Sequence, residues 1–227
     1  MKHYLIVSEK EWNQHLSQTL QKKIKANWSL IKHKQDFELT KLAQIKPDKI
    51  FIPHWSYIIP PEIYENYECV VFHMTDLPYG RGGSPLQNLI VRGHKNTKIS
   101  ALRVVKELDA GDIYLKKDLS LLGTAEEIFL RSSKVIEEMI VEIITHELVP
   151  TTQQGQPTVF KRRKPTDGNM IDLSQLDQIY DYIRMLDAEN YPKAYIETKY
   201  FKLEFSRASL KADQSIIADV RITPKET

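Results

Sequence analysis

Lys49-Ile50-Phe51-Ile52-Pro53-His54 and Cys69-Val70-Val71-Phe72-His73 are two short apolar runs, each ending on a histidine. Runs of three to five β-branched, aliphatic and aromatic residues without alternation suit strands covered on both faces of a sheet. Upstream, Tyr4-Leu5-Ile6-Val7 reads as a first strand and Trp28-Ser29-Leu30-Ile31 as a second. Between them, residues 9–24 place Trp12, Leu16, Leu20 and Ile24 at helical spacing, and residues 37–45 read as another helix. Pro60-Pro61 opens a short third helix, since proline is tolerated in a first turn. The succession is therefore β-α-β-α-β, continued to a fourth strand that ends at His73. Such alternation implies an α/β class with right-handed crossovers. The expected fold is a Rossmann-like, mainly parallel sheet with helices on both faces, and its ligands lie beyond the carboxyl ends of the strands.

Downstream the pattern loosens. Residues 74–85 have little regularity, residues 86–92 read as a helix ending near Gly93, and residues 97–108 alternate well enough for one or two strands. Asp109-Ala110-Gly111-Asp112 is a turn, residues 113–119 form a further strand, and antiparallel pairing is open to this part of the sheet. Thr124 with Glu127 forms a capping box. It starts the strongest helix, running to about residue 148 with Ile128, Val135, Ile136, Met139, Ile140, Ile143 and Ile144 on one stripe. Pro150-Thr-Thr-Gln-Gln-Gly-Gln-Pro157 reads as a linker. The expected domains are a catalytic one over residues 1–150 and a small C-terminal α+β extension over 151–227, with a helix near 176–186 and strands over 195–203 and 216–222.

Composition narrows the function classes. The 227 residues allow one full domain plus an appendage. Lys+Arg 32 against Asp+Glu 30 leaves a formal charge of +2, far from the basic excess that phosphate-backbone binding leaves, so nucleic acid is not the expected partner. The single cysteine, Cys69, can neither close an internal disulfide nor build a structural zinc site, and no His-x-x-x-His pair is present, so no metal is expected. No apolar run approaches the roughly 20 residues of a membrane span, and the first strand is too short for a signal peptide. A cytoplasmic protein without a membrane partner is the expectation, with a homodimer left open.

Glycine is scarce, eight in all, yet Gly80, Gly82 and Gly83 cluster around Arg81 just beyond the fourth strand. Glycine there lets backbone take positive φ and approach a ligand closely; a surface loop is the plainer alternative. A dinucleotide fingerprint is excluded, because the third glycine would fall on Pro85. His73 and His54 end neighbouring strands, so two imidazoles stand at one edge of the sheet. Asp109 and Asp112, taken alone, are ordinary turn aspartates.

Taken together, the run His73-Met-Thr-Asp-Leu77-Pro78-Tyr-Gly80-Arg81-Gly82-Gly-Ser-Pro85-Leu-Gln87-Asn88 and the later Leu108-Asp109-Ala110-Gly111-Asp112-Ile113 resemble the core of the 10-formyltetrahydrofolate-dependent formyltransferases. Asp109 follows His73 by 36 residues, the spacing of the family's histidine and aspartate. The resemblance implies 10-formyltetrahydrofolate as formyl donor, His73 as base or proton shuttle and Asp109 as its orienting partner. The chemistry needs such a pair: an attacking amine must lose a proton, and the tetrahedral oxyanion needs a donor. The family's asparagine two positions before the histidine is Val71 here, which leaves His54, Ser56 and Asn88 as substitute donors, with protonated His73 itself a further one. A folate site by resemblance would draw on Trp55, Ile58, Met74 and Asp112; Trp55 reads equally as a core tryptophan.

The C-terminal pieces Arg162-Arg163-Lys164-Pro165 and Asn190-Tyr191-Pro192 resemble those of sugar-nucleotide N-formyltransferases, and the compact type is similar to the formylation domain of a linear gramicidin synthetase. That resemblance implies a nucleotide-linked amino sugar as small-molecule substrate, in bacterial surface-sugar biosynthesis of the pseudaminic acid type. Gly80, Arg81, Gly82, Arg162, Arg163 and Tyr191 are the implied substrate residues. Residues 161–164 also read as a solvated charge run and Tyr191 as a core aromatic. Two alternatives stand beside the transferase: a 10-formyltetrahydrofolate hydrolase, and a non-catalytic folate or sugar-nucleotide binding module.

Overall fold

The computed structural model describes residues 1–225. In chain order its regular elements are β1 (His3–Val7), α1 (Leu16–Lys23), β2 (Asn27–Ile31), α2 (Leu39–Ile45), β3 (Lys49–Pro53), α3 (Pro61–Tyr64) and β4 (Cys69–His73). They are followed by β5 (Arg81–Gly82), α4 (Pro85–Ile90), β6 (Asn96–Arg103), β7 (Ile113–Ser120) and α5 (Ala125–Thr145). The last elements are β8 (Val159–Phe160), α6 (Leu176–Met185), β9 (Ala194–Glu197), β10 (Phe201–Leu210) and β11 (Ile216–Pro224).

The main sheet has the order β2-β1-β3-β4-β6-β7, with β1 to β4 parallel and β6 antiparallel to β4. Its central strands are apolar throughout because they are covered on both faces: Leu5, Ile6, Val7, Ile50, Phe51, Ile52 and Val70 are almost wholly buried. Cys69 shares that interior, where burial pushes its thiol up to about 12, so it packs as a small apolar group. Pro53 lies opposite Phe72, so His54 and His73 leave the sheet side by side.

Two expectations shift locally. The first helix is interrupted. A turn of 3-10 helix at Glu11–Asn13 precedes α1, because Trp12 and Asn13 are buried and held by tertiary bonds: Ser133 Oγ donates to the Trp12 carbonyl at 2.8 Å. The other concerns residues 97–108, read as one or two strands: they give one, β6, which stops at Arg103. The capping box at the start of α5 is present, with the Thr124 amide donating to Glu127 Oε2 at 2.8 Å and the Glu127 amide returning to Thr124 Oγ1.

By contacts the chain divides into two units, one of Met1–Gly82, Thr97–Leu119 and Leu130–Val159, the other of Gly83–Asn96, Ser120–Phe129 and the chain from Phe160 onward. The expected boundary at 150/151 falls inside the first unit. There Thr151 and Ile113 exchange amide bonds of 2.8 and 2.9 Å, and the Arg81 amide donates to the Thr158 carbonyl. The second unit is more than a tail. Gln87 Nε2 donates to the Met185 carbonyl, and Arg184 donates to the carbonyls of Leu121 and Gly123, drawing α4 and the start of α5 to α6. Its sheet runs β11-β10-β9, antiparallel throughout. Among the described residues no helix is long and apolar enough to cross a membrane, and no three His, Cys, Asp or Glu side chains converge as a metal site.

Candidate active site

β4 delivers His73 to the carboxyl edge of the first unit's sheet, and the chain then turns back on it. His73 Nε2 lies 2.8 Å from the Gly80 carbonyl oxygen. A carbonyl only accepts, and at 2.8 Å this is the closer of the ring's two acceptors, so Nε2 is assigned the hydrogen of the neutral ring, a tautomer inferred from its partner. Nδ1 faces Asp109 Oδ2 at 3.5 Å. The pair is largely shielded, with side-chain exposures of 9% and 12%, so their interaction is little screened by water. The same Oδ2 accepts from the Gly82 amide at 2.8 Å. Gly80 and Gly82 both stand at positive φ, +75 and +100, which bends the segment so that a carbonyl meets His73 and an amide meets Asp109.

Asp109 reaches the site from a strained turn, with φ +52. Gln153 holds that turn: its Nε2 donates to the Asp109 and Gly111 carbonyls, each at 2.8 Å, and its Oε1 accepts from Arg81 Nε and Nη2 at 3.2 and 2.7 Å. Sequence reading placed Gln153 in a linker and missed it. Proline and glycine at both ends signalled a loop, and nothing local signalled that its glutamine folds back onto the turn. Thr158, also missed, accepts the Gly80 amide on its Oγ1 at 2.7 Å. Gly111 allows the turn to close, since a Cβ there would stand 1.8 Å from the Arg103 carbonyl oxygen.

The neighbouring imidazole is built differently. His54 Nδ1 accepts from Trp12 Nε1 at 3.2 Å and Asn13 Nδ2 at 3.0 Å, while Nε2 faces Ser132 Oγ and Met74 Sδ, each at 3.3 Å. Burial, helped by the charge of Lys10, pushes its pKa down to about 3. His54 is thus a neutral structural group, and its expected role as a substitute oxyanion donor is corrected: both nitrogens are already engaged.

Asn88 is corrected on the same ground. In the second unit its Nδ2 donates to the carbonyls of Gly83, Ser84 and Lys161, and its Oδ1 accepts from Arg92, so no amide hydrogen remains. Met74, expected near a folate, is 2% exposed with its sulfur against His54, which removes it from any open pocket. Trp55 is half-buried, edge-on to Phe37 and Tyr57; Ile58 is 77% exposed; Ser56 is exposed just beyond β3. Asp112 is half-buried and its carbonyl accepts the Arg103 amide. Val71 packs against Leu77, Leu102 and Ile113 and brings no donor.

Of the residues expected to bind substrate, Gly80, Arg81 and Gly82 gather at His73 and Asp109. The others lie in the second unit. Arg162 is exposed and its Cβ covers Gly83, where an added methyl would meet it at 2.5 Å. Arg163 donates to the Asp167 carbonyl and stacks over Tyr182. Tyr191 packs on Phe129, and burial pushes its hydroxyl up to about 12.

The comparisons with known proteins accord with this geometry. A family model described as formyl transferase matches residues 5–144, more than half of the chain. The chain belongs to the formyltransferase family. A second model, the C-terminal domain of methionyl-tRNA formyltransferase, matches residues 165–223. Among solved structures, methionyl-tRNA formyltransferase from Clostridium thermocellum is 51% identical, with 99% of this chain and 100% of that one covered and a TM-score of 0.96. Methionyl-tRNA formyltransferase of Bacillus subtilis (strain 168) is 28% identical over 70% of this formyltransferase-family chain but over 52% of its own length; the chain spans about half the length of the curated relatives it matches. A sugar N-formyltransferase from a Shewanella species is similar in fold, at 16% identity, a TM-score of 0.65 and coverage of 100% and 99%.

Proposed function

We propose that this protein transfers the formyl group of 10-formyltetrahydrofolate to the amino group of a nucleotide-linked amino sugar. The observation that carries the chemistry is the pairing of His73 Nδ1 with the Asp109 carboxylate beside the Gly80–Gly82 bend. The neutral amine attacks the formyl carbon. As the new C–N bond forms, the amine nitrogen gives up a proton and the carbonyl becomes an oxyanion. His73 Nδ1 takes that proton, because Nε2 already carries a hydrogen bonded to Gly80, and Asp109 stabilises the imidazolium. When the C–N bond to N10 of the folate breaks, the same proton passes to N10, and His73 returns to its starting state. Tetrahydrofolate and the formamide are the products. The Nδ1–H of protonated His73 and the Ser56 hydroxyl are the donors we assign to the oxyanion. Trp55, Ile58 and Asp112 are the groups assigned to the folate side.

One observation supports a sugar nucleotide as the amine: the formal charge is only +2, short of the basic excess that holding a nucleic acid leaves. End-to-end coverage does not discriminate, since the sugar N-formyltransferase and the Clostridium thermocellum methionyl-tRNA enzyme are both matched over nearly their full length. The sequence resemblance assigns Arg162 and Arg163 to the diphosphate and Tyr191 to the base, in a cytoplasmic pathway to a bacterial surface sugar such as one of the pseudaminic acid type. A second reading, methionyl-tRNA as the amine, is favoured by the 51% identity to the Clostridium thermocellum protein. The test is tetrahydrofolate release from 10-formyltetrahydrofolate in the presence of UDP- and dTDP-linked amino sugars or of methionyl-tRNA. Release dependent on an amino sugar is expected. Release with methionyl-tRNA alone moves the substrate to the second reading, release without any amine makes the protein a hydrolase, and no release makes it a binding module.

A further inference from the structure

Arg81 stands between the two glycines that touch His73 and Asp109, and its side chain is held in place without being neutralised. The Gly80 carbonyl meets His73 and the Gly82 amide meets Asp109, so both chain neighbours of Arg81 are contacts of that pair. Its main chain is fixed by Thr158. The Arg81 amide donates to the Thr158 carbonyl at 2.9 Å, while Thr158 takes the Gly80 amide on Oγ1 at 2.7 Å and gives its own amide to the Pro78 carbonyl at 3.1 Å.

The guanidinium is held along one edge. Gln153 Oε1 accepts from Nε and Nη2, at 3.2 and 2.7 Å, which occupies the fork that these two nitrogens form. A guanidinium carries five N–H groups in one plane, so three remain, two on Nη1 and one on Nη2. The outward hydrogens of Nη1 and Nη2 run parallel and make a second fork. That fork has no partner among the described residues, and none of their carboxylates forms an ion pair with Arg81. Gln153 orients the charge but does not cancel it, since its amide is neutral and its Nε2 ends on the main-chain carbonyls of Asp109 and Gly111. Arg81 is also half-buried. Taking a cation partly out of water is unfavourable unless an anion joins it, and a rigid open fork matches an anion that presents two oxygens side by side.

We infer that the outer fork of Arg81 binds a phosphate of the amine-bearing substrate, with Gln153 and Thr158 as the positioning residues that keep the fork aimed and open. Sugar nucleotides and methionyl-tRNA both carry phosphate esters, so the assignment rests on the transfer reading of the site but not on the choice between those substrates. The folate brings anions too, the carboxylates of its glutamate, but a benzoyl ring and an amide separate them from N10. The attacking amine must come to His73 Nδ1 beside the Gly80–Gly82 bend, which brings the phosphate attached to it to the side of the site where Arg81 lies. Lysine cannot replace arginine here, because a single ammonium forms neither fork.

The test uses inorganic pyrophosphate and 5-formyltetrahydrofolate as separate probes on the full-length, 15N-labelled chain. Pyrophosphate should shift the Arg81 Nε–Hε resonance, assigned by its loss in Arg81→Lys, and the shift should saturate. Arg81→Lys should weaken pyrophosphate binding by about tenfold, as a point charge replaces a two-point contact. Gln153→Ala keeps the charge but frees the head group, and should weaken pyrophosphate by about threefold. Neither variant should change the affinity for 5-formyltetrahydrofolate, followed by tryptophan fluorescence. Three results would each overturn the inference: no saturable shift, equal pyrophosphate affinity in Arg81→Lys, or a loss of folate affinity instead, which gives the fork to the glutamate carboxylates. If Arg81→Lys does not fold, Gln153→Ala decides with the same two probes. Amine-dependent release of tetrahydrofolate by the wild type reports on the transfer reading by itself, so either can fail without the other.

Discussion

His54 and His73 end adjacent parallel strands, one position beyond a matched pair of residues, yet they are opposite kinds of histidine. Around His54 the Nδ1 partners are donors, Trp12 and Asn13, which forces a lone pair there and a neutral ring; burial then holds it neutral to about pH 3. Around His73 both ring nitrogens face acceptors, the Gly80 carbonyl and the Asp109 carboxylate, so the ring has a place for a second proton. Strand-end position puts an imidazole at the crevice. Whether it carries protons depends on whether its neighbours give hydrogen bonds or take them.

The contrast can be broken from the His73 side first. His73→Ala should lower formyl transfer by about 100- to 10,000-fold, the span of general acid–base catalysis, measured as amine-dependent tetrahydrofolate release. Asp109→Asn keeps an oxygen for the Gly82 amide but removes the charge facing Nδ1, and should cost about 100-fold in kcat with KM for the folate little changed. Gln153→Ala frees the Asp109 turn from two carbonyl bonds and from Arg81. It should lower kcat by about tenfold and stability by roughly 1–3 kcal/mol, read by urea unfolding.

On the other side, His54→Asn should leave transfer unchanged, because asparagine accepts the φ of +53 and still offers an acceptor near the Nδ1 position. Its signature is in pH. With the folded pKa depressed to about 3, the unfolded chain binds a proton that the native one does not between roughly pH 6.5 and 3. Stability is therefore present above that window and falls as pH drops through it, by about 2 kcal/mol from this group between pH 7 and pH 5. The asparagine variant should lack that loss. A wild-type denaturation midpoint with the same pH dependence as the variant would return His54 to the titrating groups.

Much of this was legible in the sequence, for identifiable reasons. Apolar runs without alternation, such as Ile50-Phe51-Ile52, marked the buried parallel strands, and Thr124 with Glu127 marked the start of α5. The family spacing of His73 and Asp109 marked two residues that the fold brings within 3.5 Å. What was not legible depends on long-range partners. Nothing near Gln153 in sequence says that it clamps residues 42 and 44 positions earlier. Asn88 sits among the glycine-rich residues where a catalytic amide was expected, but its hydrogens close onto Gly83, Ser84 and Lys161. Residues 150–157 read as a linker for the same reason, since proline and glycine report local flexibility and the pairing of Thr151 with Ile113 is set from 38 residues away.

The most direct test of the proposed proton path is the 15N spectrum of the His73 imidazole, assigned by its loss in His73→Ala and followed through pH. Nδ1 should appear as the unprotonated nitrogen of the neutral ring and take up the proton on acidification, with Nε2 protonated throughout. A neutral ring protonated at Nδ1, with Nε2 as the titrating nitrogen, would contradict the account.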